Sequence, residues 1–216
     1  MLPQRRASSC DTAAMEQHVL AHIGLGANVG APREALERAV SALSVLPGCA
    51  LAGVSRLYRT RPMGPVAQGD FLNAVVALRV PAGATPEDGA MALLVALKAL
   101  ERTMGRVQRE RWGPREIDLD LLLFGDAEIH VEREVAARSV DPTRVGLQWL
   151  DVPHPSAAER SFVLAPLAEL APELVPPGWE MSVDDARARA AATEAPDAVK
   201  AVGAWDFRTS RWQEVA

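Results

Sequence analysis

The sequence predicts an α+β fold on a β-α-β-β-α-β order, the pattern of a ferredoxin-like split unit with an antiparallel sheet and helices on one face. Three observations predict it. Stretches 31–47 and 85–105 carry apolar residues at helical spacing. Between and around them lie apolar, β-branched runs punctuated by Pro and Gly, and two of these runs stand between the helices. A length of 216 residues, 49% hydrophobic and 24% charged, suits one domain, or one domain with tails, able to bury a real core.

Taken in order, MLPQRRASSCDTAAMEQ (1–17) has two arginines but no apolar h-region, so it reads as a flexible N-terminal extension rather than a secretory signal. HVLAHIGLG (18–26) is a short buried strand ending in glycines. APREALERAVSALSVLP follows with Leu36, Ala39, Val40 and Leu43 on one stripe; Pro32 fits the first turn and Pro47–Gly48 ends the helix. CALAGVSRLYRT (49–60) and FLNAVVALRV (71–80) are strands, joined by the loop RPMGPVAQGD. TPEDGAMALLVALKALERTMG (85–105) is the clearest helix, capped by Thr85, with Pro86 at its first position, Asp88 in its first turn and Gly105 at its end.

A basic loop, GRVQRERWGPR, leads into the strand EIDLDLLLFG. Residues 126–152 read as a strand or hairpin followed by a polar insertion, about 132–150. SAAERSFVLAPLAELAPEL (156–174) adds a helix broken by Pro166. The domain so defined spans 18–178. From 179 to 216 the chain is charged and alanine-rich, a C-terminal tail expected to hold a short helix and a frayed end.

The net charge of −5 argues against broad nucleic-acid binding, though local basic clusters can still grip a phosphate. Cys10 and Cys49 make neither a disulfide framework nor a zinc set, and the four histidines form no HExxH pattern. No apolar run approaches the roughly 20 residues that span a bilayer. The expected location is the cytoplasm.

The strand EIDLDL places Glu116, Asp118 and Asp120 on one face and Ile117, Leu119 and Leu121 on the other. Two carboxylates about 7 Å apart repel by roughly 2 kcal/mol at a surface-like dielectric, and Asp is a poor strand former. A solvated polar face would explain them, but LLLF follows at once, so the pair sits at a rim beside a basic loop. That is where Mg²⁺, which takes one or two carboxylates and completes its shell with water and phosphate oxygens, can meet a polyphosphate. The loop supplies Arg106, Arg109, Arg111 and Arg115, whose guanidiniums match phosphate oxygens bidentately. Trp112 either stacks on a purine or an arginine, or plugs the edge of the core.

GLGANVG (24–30) has the spacing G-x-G-x-x-x-G, without an acidic residue to hold a ribose, so a Rossmann reading is weak; its glycines suit a tight strand-to-helix turn. There is no P-loop and no GxSxG elbow.

Four stretches together resemble one family, the 6-hydroxymethyl-7,8-dihydropterin pyrophosphokinases of folate biosynthesis. They are GLGANVG, YRTRPMGPVAQGDFLNAVVAL, GRVQRERWGPREIDLDLLLFG and VPHPSAAERSFVLAPLAELAPEL, spanning roughly residues 19 to 176. The resemblance implies a three-layer α-β-α sandwich on the ferredoxin-like core. It implies transfer of a pyrophosphoryl group from ATP to the pterin's hydroxymethyl oxygen, with release of AMP.

By the same resemblance Asp118 and Asp120 bind two Mg²⁺ ions bridging the ATP phosphates. Arg106 and Arg115 match catalytic-loop arginines, with Trp112 closing the site. Thr60, Met63, Phe71, Asn73 and Phe162 form the pterin pocket, the ring lying between two aromatics and Asn73 offering a donor and an acceptor to its amide edge. Arg111, Arg115, His154, Arg160 and Glu101 match ATP-side residues, although Glu101 equally suits a solvated helix surface, and Gly26 and Asn28 suit shaping the turn. The chain departs from the family at Phe71, where many relatives have tyrosine, and at Pro155 and Gln108. The implied partners are the two small-molecule substrates, without nucleic acid or membrane, acting on a monomer. Two rival readings are a different Mg²⁺-dependent nucleotidyl or sugar-nucleotide transferase, and a ferredoxin-like ligand sensor without catalysis.

Overall fold

The structure is a computed structural model that describes residues 17–62, 66–107, 113–138, 148–195 and 197–215. In chain order it runs β1 (His18–Ala27), α1 (Pro32–Ser44), β2 (Ala50–Val54), β3 (Leu57–Thr60), β4 (Phe71–Pro81), α2 (Pro86–Thr103), β5 (Asp118–Phe124), β6 (Ile129–Glu132), β7 (Trp149–Val152), α3 (Ser161–Leu170), α4 (Val183–Ala191), β8 (Val199–Asp206) and β9 (Arg211–Glu214). Among the described residues the strands form an antiparallel sheet in the order β5-β1-β4-β3-β8-β9, with β2 also on β4, plus a β6–β7 hairpin.

Side-chain alternation sorts the strands onto two cores. Ala21, Ile23, Leu25 and Ala27 of β1, with Ala74, Val76 and Leu78 of β4, pack against Leu36, Val40 and Leu43 of α1 and Leu94 and Leu97 of α2. Val75, Leu122 and Leu123 pack instead with Val163, Leu164 and Leu167 of α3 and Val183 and Ala186 of α4. Leu122 and Leu123 reach the same core because the β1–β5 register shifts between His22 and Ile23. That bulge explains how LLLF is buried throughout. Thr85 caps α2 as its sequence predicts, its hydroxyl accepting from Asp88 N at 3.2 Å, and Gly105 follows it with φ 85°.

The structure corrects three expectations. The strand over 49–60 divides at Ser55–Arg56, where Ser55 Oγ accepts Val75 N–H at 2.9 Å while Ser55 N donates to Val75 O at 3.0 Å; a side chain thus replaces one rung of the ladder. The helix of the 156–174 stretch is not broken at Pro166: α3 runs through it, and burial of Val163, Leu164, Pro166 and Leu167 outweighs the lost backbone bond. The end of the chain is not frayed. After α4 it returns as β8 and β9, widening the sheet beside β3, with Trp212 buried and its Nε1 donating to Ser55 O at 2.9 Å. Residues 1–16 and, within the 132–150 insertion, residues 139–147 lie outside the described residues.

Candidate active site

The rim of the sheet where β5, β1 and β4 lie side by side gathers most of the residues singled out from the sequence. Asp118 pairs with Gly26 and Asp120 with Gly24 on β1. Gly26 in turn pairs with Asn73 on β4, and β4 presents Asn73 and Phe71 to Tyr58 and Thr60 on β3. Directly opposed residues share a face, so Asn73, Gly26 and Asp118 form one row. Two strand spacings of about 4.8 Å separate the outer members. A Cβ on Gly26 would lie 3.0 Å from Asn73 Oδ1, and one on Gly24 3.4 Å from the Leu122 side chain. The glycines of GLGANVG therefore keep open the floor between the amide and the carboxylates.

The aspartates face the site because the alternate residues Ile117, Leu119 and Leu121 are committed to the α1–α2 core. β5 is an edge strand, and α2 satisfies its exposed backbone: Leu119 N donates to Glu101 Oε1 at 2.7 Å, and Lys98 Nζ donates to Leu119 O at 2.8 Å. The same Glu101 oxygen accepts from Lys98 at 2.9 Å and from Arg106 at 2.5 Å. Arg106 also bonds Asp118, as does Arg115. Glu101 is 4% exposed, so it is no solvated helix residue. It binds a helix, an edge strand and the start of the arginine loop at one point.

Asp118 is covered by its two arginines, whereas the Asp120 side chain keeps 40% of its surface, with Lys98 Nζ 3.6 Å away. Burial pushes the Asp120 carboxyl up, but Lys98, then His154, Arg115 and Arg106, outweigh it and hold the group well below the usual carboxylate range. Burial pulls His154 down, opposed by Asp120 and aided by Arg160, Arg133 and Lys98, which favours neutral imidazole. These mutual effects place His154 and Arg160 in the same electrostatic neighbourhood as Asp120. His154 N donates to Leu122 O at 2.9 Å, fixing it beside β5.

On the other side of Gly26, Thr60 and Asn73 are buried and Asn73 Nδ2 donates to Thr60 Oγ1 at 2.7 Å. Phe71 is half-buried at the start of β4, opposite Thr60. Phe162, in the first turn of α3, is half-buried under the Arg160 guanidinium, 5.8 Å from ring centroid to cation. Met63, Arg111 and Trp112 fall outside the described residues, as does Gln108.

Sequence reasoning missed Lys98 and Arg133. The first carried a signal, an i,i+3 pairing with Glu101 on one face of α2. The second carried none. Arg133 follows β6, its N donates to Gln148 O at 2.7 Å, and burial pushes its guanidinium down while Asp120, Asp151 and Glu101 push it back up.

Carboxylates ringed by cations suit a hard divalent ion bound together with an anionic ligand. Among the described residues no three His, Cys, Asp or Glu side chains converge on one point. Asp118 and Asp120 are two carboxylates, within the one or two that Mg²⁺ commonly takes alongside phosphate and water. A family model described as 7,8-dihydro-6-hydroxymethylpterin-pyrophosphokinase matches residues 22–172. The chain belongs to this pyrophosphokinase family. A Pseudomonas aeruginosa protein named 2-amino-4-hydroxy-6-hydroxymethyldihydropteridine pyrophosphokinase is 41% identical over 153 residues, 71% of this chain and 81% of that protein. The Haemophilus influenzae protein of the same name is 36% identical over 163 residues, 76% and 88% of the two chains. In fold, the chain is similar to the crystal structure of wild-type Plasmodium falciparum HPPK-DHPS with pterin and p-hydroxybenzoate, with a TM-score of 0.67 at 14% identity. That match covers 94% of this chain but 49% of the other, so this chain spans about half the length of that protein. In this chain α4, β8 and β9 lie beyond the residues that the family model matches.

Proposed function

We infer that this chain transfers the pyrophosphoryl group of ATP to the hydroxymethyl group of 6-hydroxymethyl-7,8-dihydropterin, releasing AMP, in folate biosynthesis. The observation that carries the reading is the row Asn73–Gly26–Asp118. A buried amide able to read a pterin edge and a carboxylate able to hold a phosphate-bound ion lie on one face, with nothing but a glycine between them. In the reaction the hydroxymethyl oxygen bonds to the β-phosphorus, the bond from that phosphorus to the α–β bridging oxygen breaks, AMP leaves with that oxygen, and the hydroxyl proton is released. No protein nucleophile is required, so positioning and charge stabilisation supply the rate.

Asp118 and Asp120 are the residues that would hold two Mg²⁺ ions. When bound, the metal supplies charge neutralisation and polarisation at the transferring phosphoryl group. Arg106 and Arg115 face the phosphates from the loop and stabilise charge as it shifts toward the leaving oxygen; Trp112 and Arg111 belong to the same loop. His154 and Arg160 contact the phosphates from the side of α3, and Arg133 extends that basic wall. Glu101, on the ATP side, holds Arg106 and β5 in place. Thr60, Phe71, Asn73 and Phe162, with Met63, take the pterin. Asn73 has its Oδ1 toward Gly26 and its Nδ2 on Thr60, so its orientation is set before the ring arrives.

The sheet order β5-β1-β4-β3 supports a ferredoxin-like core, and helices packed on both faces support the three-layer α-β-α reading. Among the described residues no helix is long and apolar enough to cross a membrane, and we read the chain as a cytoplasmic monomer acting on small molecules. Incubation with Mg²⁺, ATP and the pterin, with products resolved by chromatography, should yield AMP and a pyrophosphorylated pterin in equal amounts. ADP, or pyrophosphate without a modified pterin, would overturn the reading.

A further inference from the structure

Asn28, in the turn between β1 and α1, joins the two halves of the site through one side-chain amide. Its Oδ1 accepts Arg115 N–H at 2.8 Å, and its own N donates back to Arg115 O at 2.9 Å. Its Nδ2 donates to Gln68 Oε1 at 2.9 Å and Gly69 O at 3.1 Å. A backbone N–H can only donate and a backbone carbonyl only accept, so the two backbone contacts fix the amide in a single orientation. Arg115 lies three residues before Asp118 and bonds its carboxylate. Gly69 lies two residues before Phe71 and four before Asn73, at the entrance to β4. One residue thus spans from the phosphate-side loop to the ring-side loop, and both loops end on strands that carry substrate-facing side chains. A residue needed only to shape the β1–α1 turn would bond within that turn; among the described residues the three side-chain hydrogen bonds of Asn28 leave it, across 40, 41 and 87 residues of sequence.

We propose that Asn28 is a positioning residue that couples nucleotide binding to pterin binding, by making the placement of Arg115 and the placement of the β4 entrance depend on each other. The proposal rests on the pyrophosphokinase reading of the site. A ligand that settles Arg115 settles Asn28, and through Nδ2 the segment leading to Phe71 and Asn73, so the second ligand meets a site already ordered by the first. Coupling of this kind is reciprocal and typically amounts to about 5- to 150-fold in affinity.

The test is titration calorimetry of the whole protein with Mg²⁺ and a non-transferring α,β-methylene analogue of ATP, and with 6-hydroxymethyl-7,8-dihydropterin, each alone and in the presence of the other. In the natural protein each ligand should tighten the other by roughly tenfold or more. Asn28→Ala should keep each affinity, measured alone, within about threefold while reducing that enhancement to about twofold or less. Asn28→Asp retains the acceptor for Arg115 N–H but sets a carboxylate oxygen against Gly69 O, so it should lose the enhancement as well; it decides the matter if Asn28→Ala does not fold. Mutual enhancement that survives in the folded variants overturns the proposal, as does equal weakening of both single affinities with the enhancement kept, or a natural protein whose two ligands bind independently. A natural protein that binds neither ligand would instead remove the functional reading on which the proposal stands.

Discussion

Replacing Glu101 by alanine tests the site at its most connected point. One buried carboxylate oxygen accepts from Leu119 N, Lys98 Nζ and Arg106, so truncation removes the acceptor of one backbone N–H and one anionic partner from each of two cations. Lys98 and Arg106 side chains are 14% and 21% exposed, which leaves them little water to turn to. Removing one partner of a buried ionic set costs about 3–5 kcal/mol, a large share of the roughly 5–15 kcal/mol that holds a domain together. At a urea slope of about 2 kcal/mol per molar, the unfolding midpoint should drop by about 2 M. Glu101→Gln keeps a carbonyl acceptor for Leu119 N–H but loses the charge, and should cost about 1–2 kcal/mol. Both variants free Arg106 from one of its two anchors, so kcat should fall by about tenfold or more in folded protein. Equilibrium urea unfolding of the three proteins checks the first statement and product-resolved turnover the second. If Glu101→Ala shifts the midpoint by less than about 0.5 M, the carboxylate is a surface group after all and the edge of β5 is held by something else.

Asp120→Ala should lower turnover at least about a hundredfold while leaving the melting temperature within a few degrees, because that side chain is 40% exposed and surrounded by cations that gain room; loss of the folded state on thermal melting would contradict the placement. Gly26→Ala puts a methyl 3.0 Å from Asn73 Oδ1 and should weaken pterin binding about tenfold or more with nucleotide affinity kept, whereas Gly24→Ala meets only the movable Leu122 side chain at 3.4 Å and should be mild; calorimetry of both ligands separates them. His22 is buried with neither ring nitrogen bonded, and burial lowers its pKa from 6.5 to about 4. The unfolded chain therefore takes up this proton first, so stability falls as pH drops from about 6.5 toward 4, by about 3 kcal/mol in all and about 2 kcal/mol by pH 5. His22→Leu should flatten that acid limb in urea midpoints measured at pH 7 and 5, and an unchanged limb would assign it to other groups.

What the sequence disclosed and what it hid divide along physical lines. Period and punctuation reveal α1, α2 and the alternation of β5, because these depend on neighbours a few positions apart: Pro32 sits in the first turn of α1, and Thr85 caps α2 through a residue three positions on. The Asp118–Asp120 pair was visible for the opposite reason, as a local choice that fights its own strand. The β8–β9 hairpin was hidden because its short strands, VKAVGAWD and RWQE, carry no clean alternation and find their place through pairing of β8 with β3, with Trp212 reaching Ser55 across 157 residues. Pro166 misled because propensity counts the lost hydrogen bond but not the core that α3 covers. Arg133 gave no sign because its role depends on a hairpin that carries it toward Asp120, and no spacing rule reaches that far.

The charge balance of the site suggests how it is kept stable before substrate arrives. Two aspartates on one face of an edge strand would repel, yet Asp118 is already held by Arg106 and Arg115, and Asp120 lies in the field of Lys98, His154, Arg115 and Arg106. The protein thus neutralises the pair with the cations that a triphosphate would recruit, and a divalent ion entering beside the carboxylates would replace what the arginines give up. Each charge has a partner in either state, so binding exchanges ion pairs instead of creating buried ones, and little desolvation remains to oppose it. Magnesium and nucleotide should then bind poorly apart and well together. The nucleotide alone would draw the arginines off Asp118 and leave that carboxylate unpaired, and the ion alone would compete with the arginines that already hold it. Calorimetry of the ATP analogue with and without Mg²⁺ reads this directly, and nucleotide affinity indifferent to the ion would show that the aspartates and the phosphates never share a cation.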